Sequence, residues 1–148
     1  MDNTKYGKYI ITQLKQVDEA PWTNTPQAAG KGRGGRVLFL DSEIIPGAFY
    51  VEVALGGGIS QKAEQNTKSV AEPHKHDYDE VLAMFGTDLS DPYDLNGEVE
   101  FWLGGEKHTI TNSCIIFIPQ GLMHCPLIYK RADKPILTFT THQGKMYY

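Results

Sequence analysis

Short apolar runs, rich in β-branched and aromatic residues and cut by Gly, Pro, Asn and Asp, fill most of the chain. Val37–Leu40 (VLFL) and Ala48–Leu55 (AFYVEVAL) read as strands, with Pro46-Gly47 between them as a turn. Glu80–Phe85, Glu98–Leu103, Cys114–Ile118, Leu127–Tyr129 and Ile136–Thr141 have the same character, and a further strand is expected near His74–His76. The runs VLFL and CIIFI are expected to pack within the sheet core. A short helix around Gln61–Gln65 is the helical candidate, in the polar stretch after Gly56-Gly57-Gly58. Many short strands with Gly/Pro turns and no long helical period predict an all-β sandwich or barrel.

The first part of the chain differs. Tyr9–Leu14 (YIITQL) suggests a short strand, an arm laid over the barrel or over a partner subunit. Val17–Gly35 is rich in Pro, Gly, Asn, Thr and Ala and reads as loop. The expected division is an N-terminal arm and loop over 1–35 and one β-barrel domain over 36–148, a size ordinary for a single domain. With 41% hydrophobic and 22% charged residues the composition is that of a folded chain. Fourteen Lys and Arg against eighteen Asp and Glu give a formal charge of −4. There is no basic stripe, so nucleic acid is not an expected partner. No apolar stretch approaches the roughly 18 residues of a membrane span. The opening MDNTKYGKYI lacks the apolar run of a secretory signal. Cys114 and Cys125 are then expected as thiols in a reducing compartment, which makes the cytoplasm the expected location.

Candidate chemistry gathers in two segments. In EPHKHDYDEVLAMFG, residues 72–86, His74 and His76 are two apart, so on extended backbone both rings point to one face. Glu80 follows after the turn-prone Asp77 and Asp79. Two imidazoles and a carboxylate suit one divalent transition metal ion (Fe, Mn, Zn, Ni or Co) and leave positions for water or substrate. In IPQGLMHCP, residues 118–126, Pro119 and Gly121 turn the chain and send His124 back toward the first three groups. The four candidate ligands are therefore His74, His76, Glu80 and His124.

The two segments resemble the paired signatures of the cupin superfamily, in its small single-domain form. His74, His76, Glu80 and Gly86 match the first, and Pro119, Gly121 and His124 the second. The resemblance runs from about Val37 to Thr141. It departs in two places: the usual upstream glycine is missing before His74, and DLSDPYDLNG lengthens the stretch between signatures. It implies an antiparallel double-stranded β-helix (jelly-roll) barrel, frequently homodimeric, with the metal inside its open end. Cupins include dioxygenases, isomerases, decarboxylases and non-catalytic binding modules, so the fold does not select a reaction. The expected function is a metal-dependent enzyme acting on a small oxygen-rich organic molecule, as an oxygenase, isomerase or decarboxylase. The alternative is a non-catalytic metal or small-molecule binding or sensing module.

Other residues are weighed around that centre. Strand parity from Glu80 turns Leu82 and Met84 inward. Glu98 and Glu100 share one strand face, either a solvated outer face or a pair aimed into the cavity; exposed polar alternation in antiparallel sheets favours the former. Tyr78 belongs to the turn, with contact at the pocket rim as the second reading. His108 and His142 have no companion ligand nearby and are expected outside the pocket. If His124 points inward, Cys125 should point away. Neither cysteine has a Cys-His-acid setting. GKGRGGR at 30–36 lacks phosphate-loop order and is taken as a loop, and Asp88, Asp91 and Asp94 as turn caps.

Overall fold

The computed structural model describes residues 4–15, 35–56 and 72–144. Among them are eight strands: β1 (Gly35–Leu40), β2 (Tyr50–Gly56), β3 (Glu80–Gly86), β4 (Asp94–Leu103), β5 (Glu106–Asn112), β6 (Cys114–Ile118), β7 (His124–Ala132) and β8 (Ile136–His142). They form a five-stranded sheet ordered β1-β2-β8-β3-β6 and a three-stranded sheet ordered β5-β4-β7, with antiparallel pairing throughout. The Gln61–Gln65 helix and residues 30–34 of GKGRGGR lie outside the described residues. Among those residues no helix is long and apolar enough to cross a membrane.

Period-two alternation explains which side chains meet between the sheets. On β4, Leu95, Gly97, Val99 and Phe101 are buried and the residues between them are not. On β3, Glu80, Leu82 and Met84 are buried, as parity required. These join Ile118, Leu127 and Ile136 in the core. Glu98 and Glu100 are thereby placed on the opposite face of β4, where Glu100 accepts a 2.8 Å hydrogen bond from Trp102 Nε1. The acidic loop behaves as turn chemistry: Asp88 accepts from Ser90 N at 3.0 Å, and Asp94 from Asn96 N at 2.8 Å.

Two expectations are corrected. Tyr9–Leu14 forms no strand. The backbone instead turns as a 3-10 helix at Gly7–Tyr9, opened by a 3.0 Å bond from Gly7 N to Thr4 Oγ1. Among the described residues this run pairs with no strand. The run CIIFI is not wholly inside either. As β6 is an edge strand, its alternation leaves Ile115 and Phe117 exposed, while Ile116 and Ile118 face the core.

Gly86 ends β3 where another backbone crosses closely. A Cβ there would stand 2.0 Å from the Asp94 carbonyl oxygen, which belongs to a strand and cannot swing aside. Gly86→Ala is expected to cost about 1–3 kcal/mol of stability, as overpacking does. A urea titration checks this, and an unchanged midpoint contradicts it.

Candidate metal centre

Backbone pairing brings the two signature segments together. His74 N donates to the His124 carbonyl at 3.0 Å and His124 N to the His74 carbonyl at 2.9 Å, a single antiparallel bridge. Gly121, at φ 80°, donates from its N–H to the His76 carbonyl at 2.8 Å. That left-handed backbone favours glycine, so the Pro119–Gly121 turn depends on residue type. Gln120 N adds a 2.9 Å bond to Asp79 Oδ1, and Glu80 sits opposite Ile118 in the β3–β6 register. The second segment is thus stitched along the first, residue by residue.

The side chains follow from that scaffold. One ring nitrogen from each of His74, His76 and His124 lies within 4.8 Å of the others. Glu80 Oε1 is 3.3 Å from His76 Nε2 and 3.2 Å from His124 Nε2, and Glu80 is only 3% exposed. His74 Nδ1 donates to Glu72 O at 2.6 Å, His124 Nδ1 to Leu122 O at 2.8 Å and His76 Nδ1 to Tyr78 O at 3.4 Å. A carbonyl can only accept, so each of these contacts assigns the proton to Nδ1. In the neutral ring the Nε2 lone pair is then directed at the common centre.

Electrostatics agree with a cation at that point. Burial alone would raise Glu80, but His124 and His76 outweigh it and hold the carboxyl at about 2. Burial lowers His74 below its ordinary value, opposed by the Glu72 carbonyl. A buried carboxylate facing imidazole lone pairs at 3.2–3.3 Å is repulsive unless a proton or a metal ion lies between them. Three imidazoles and one carboxylate are also the donor set that divalent transition metals take. The residues present fit such an ion.

The structure adds neighbours that the sequence had set outside the centre or at its rim, and others, such as Tyr50, that it did not single out. His142, expected outside the pocket, is buried and lies across from Glu80 in the β3–β8 register. Rings stack from there in a column. Tyr78 lies on His76 (centroids 4.1 Å, 9° between planes) and on His142 (4.1 Å, 28°), and His142 lies on Tyr50 (4.7 Å, 7°). Phe39 follows at 6.4 Å, with the Arg36 guanidinium 4.6 Å from its ring. Arg36 pairs with Glu52 on the same inner face. Burial, reinforced by His76 and opposed by Glu80, lowers His142 to about 4, so its ring is neutral at neutral pH. Tyr78 therefore packs against the centre. His142 carried no signal in sequence because only the strand register places it there.

Cys125 does not point away. It and His124 are both buried, because the β4–β7 register shifts between Phe101 and Leu103 and Cys125 takes φ 77°. The bulge breaks the alternation on which the expectation rested. Burial, with Glu80 and Glu72 nearby, pushes the Cys125 thiol up to about 12, so it is no nucleophile. Cys114 and Cys125 are both free thiols. His108 is exposed, 3.4 Å from Glu106 and apart from the centre.

Two packed sheets around an interior histidine–carboxylate cluster define a small jelly-roll barrel whose three histidines could hold a metal ion. No family model matches the sequence, and no curated protein matches it. Solved structures are similar. Oxalate oxidase in complex with the substrate analogue glycolate aligns with TM-score 0.50 and 14% identity over 94% of this chain and 61% of that one. The present chain thus spans less than two thirds of the oxalate oxidase chain. An RmlC-like cupin from Shewanella frigidimarina aligns with TM-score 0.48 and 14% identity over 91% and 96% of the two chains. At such identity the likeness is one of fold. The chain has the cupin fold, an antiparallel double-stranded β-helix.

His142 offers a stability check. His142→Ala removes the ring between Tyr78 and Tyr50 and is expected to cost about 3 kcal/mol, as truncating a buried aromatic does. His142→Phe keeps the stack and should cost less than half of that. Urea midpoints of the two variants measure the difference, and equal midpoints refute it.

Proposed function

We propose that His74, His76, Glu80 and His124 hold one divalent transition metal ion, and that the protein is a metal-dependent enzyme acting on a small oxygen-rich organic molecule. The observation that carries this reading is the orientation of the three imidazoles. Backbone carbonyls accept from each Nδ1, the Nε2 atoms of His76 and His124 lie 3.3 and 3.2 Å from the Glu80 carboxylate, and a ring nitrogen of His74 lies within 4.8 Å of theirs. A bound ion would supply Lewis acidity toward a carboxylate, hydroxyl or carbonyl group, and iron would add redox chemistry.

The chain's own residues shape what can enter. Leu82 and Ile118 bring apolar walls next to Glu80, which exclude water and strengthen charge interactions at the centre. Thr140, with Glu52 beside it in the register, continues the inner face with polar groups able to orient an oxygen-rich ligand. Tyr78 and His142 brace the His76 ring from behind. The homodimer is proposed as the assembly of this protein.

Purified protein reconstituted with Fe(II), Mn(II), Zn(II), Ni(II) or Co(II) is expected to retain about one ion per chain. His74→Ala, His124→Ala and Glu80→Gln should each weaken retention at least tenfold, since even indirect partners of a ligand matter by about that factor. Elemental analysis after desalting reads this, with circular dichroism confirming the strands. Equal metal content in the variants would remove the assigned ligands. Catalysis needs an open coordination position, which a closed binding module lacks. Added azide or oxalate should therefore change the visible spectrum of the Co(II)-loaded protein. An unchanged spectrum favours the binding module.

A further inference from the structure

Arg36 and Glu52 pair inside the barrel and take no part in the histidine–carboxylate cluster. Their side chains are 10% and 21% exposed. A pair this buried seldom adds stability, because apolar residues of similar volume would serve at least as well. It lies on the same inner face as the cluster. The register sets Phe39, Glu52, Thr140 and Leu82 in one inward row, with Tyr50, His142 and Glu80 in the next. Two strand spacings and one inward step place the Glu52 and Glu80 backbones about 12 Å apart. A chain of about six carbons, held through oxygen at the Glu80 end and hydrogen-bonded at the other, spans that gap.

The charges narrow what this pair can meet. Burial works against the Arg36 cation, and its acidic neighbours, Glu52 foremost and Asp41 after it, more than offset that. Tyr50 keeps its proton, since burial and Glu52 both push the phenol well above its ordinary range. One guanidinium therefore stands against two carboxylates, and this surplus of negative charge repels a ligand carboxylate. A ligand ammonium would in turn meet the guanidinium at close range. An uncharged hydroxyl suits the pair, donating to Glu52 and accepting from Arg36. Arg36 spends Nε on Glu52, and among the described residues its two terminal amino groups take no acceptor. Asp41 is already engaged, its Oδ1 accepting from Glu43 N at 2.9 Å and Ile44 N at 3.2 Å. Thr140, buried beside Glu52, adds a hydroxyl that can donate and accept. We propose that Arg36, Glu52 and Thr140 form a hydroxyl-reading subsite, and that the molecule taken up is a polyhydroxy acid. Its carboxylate end meets the histidine centre and its uncharged, hydroxylated end meets β1 and β2. This rests on the metal reading and deepens it by naming the substrate class.

Calorimetric titration of the metal-loaded full chain tests this with acids of one chain length, alike at the carboxylate and the 2-hydroxyl. They are D-gluconate, 2-hydroxyhexanoate, 2-hydroxyadipate and 6-amino-2-hydroxyhexanoate. D-Gluconate is expected to bind at least about tenfold tighter than the others, through charge-assisted hydrogen bonds at its far end. Equal affinities overturn the subsite, and tightest binding of the dicarboxylate or the amino compound overturns its assigned ligand. In Arg36→Met/Glu52→Leu, an apolar replacement of similar volume, the advantage of D-gluconate should vanish with metal content unchanged. A retained advantage overturns the proposal. Should circular dichroism show that this variant does not fold, Thr140→Val replaces it. D-Gluconate should then bind about threefold more weakly, and unchanged affinity overturns the proposal. Saturation-transfer NMR on the metal-free protein, with the neutral polyol D-glucitol as probe, reads the subsite without the ion. Transfer to D-glucitol is expected in the wild type and should fall in the variant, and equal transfer overturns the subsite. A chain that retains no ion yet keeps this difference defeats the metal reading and leaves the hydroxyl subsite in place.

Discussion

A carboxylate held among imidazoles in the barrel interior is the constraint to which the other features answer. Burying the Glu80 charge is costly, and with two imidazole nitrogens at 3.2–3.3 Å it calls for a proton or a metal ion among them. Those histidines can serve only if their rings are fixed. Backbone carbonyls of Glu72, Tyr78 and Leu122 fix them by accepting hydrogen bonds from the Nδ1–H groups. The whole cluster in turn requires residues 74 and 124 to be neighbours, which the paired bonds between their backbones secure. Local geometry, protonation and long-range pairing are thus three levels of one arrangement.

The barrel pays for a polar interior with a thinner apolar core, concentrated where the three-stranded sheet covers β3 and β8. Leu95, Val99 and Phe101 from β4 meet Leu82, Met84 and Ile136 there. Toward β1 and β2 the inner face turns to Arg36, Glu52 and Tyr50, and its stability comes from an ion pair and stacked rings. Leu38, Val53, Phe139 and Ile115 sit on the outer face of the same sheet. Polar groups inside and these apolar ones outside thus belong to one sheet.

Much of this was legible along the chain. Each of the eight strands overlaps an apolar run except β5, whose EKHTITN sequence is polar and mostly exposed. It forms because it pairs with β4, a tertiary reason with no local signal. The pairing of the HxH and Pro-x-Gly segments was legible because turn chemistry at Gly121 and strand parity at His74 and His76 both act over a few residues. His142, Tyr50 and the Cys125 bulge were not, since each depends on which strands lie side by side and in what register. A one-residue shift of β8 would turn His142 to the outer face.

Sequence by itself determined the all-β class, the inward parity of Glu80, Leu82 and Met84, and the identity of the residues that converge on the centre. These follow from periodicity, turn residues and donor chemistry, which are properties of neighbouring positions. Tertiary structure alone decided the ring column behind His76, the burial of both His124 and Cys125, and the apolar outer face of the five-stranded sheet. Those rest on contacts between strands far apart in the chain, where free energy depends on register and packing rather than on any local preference.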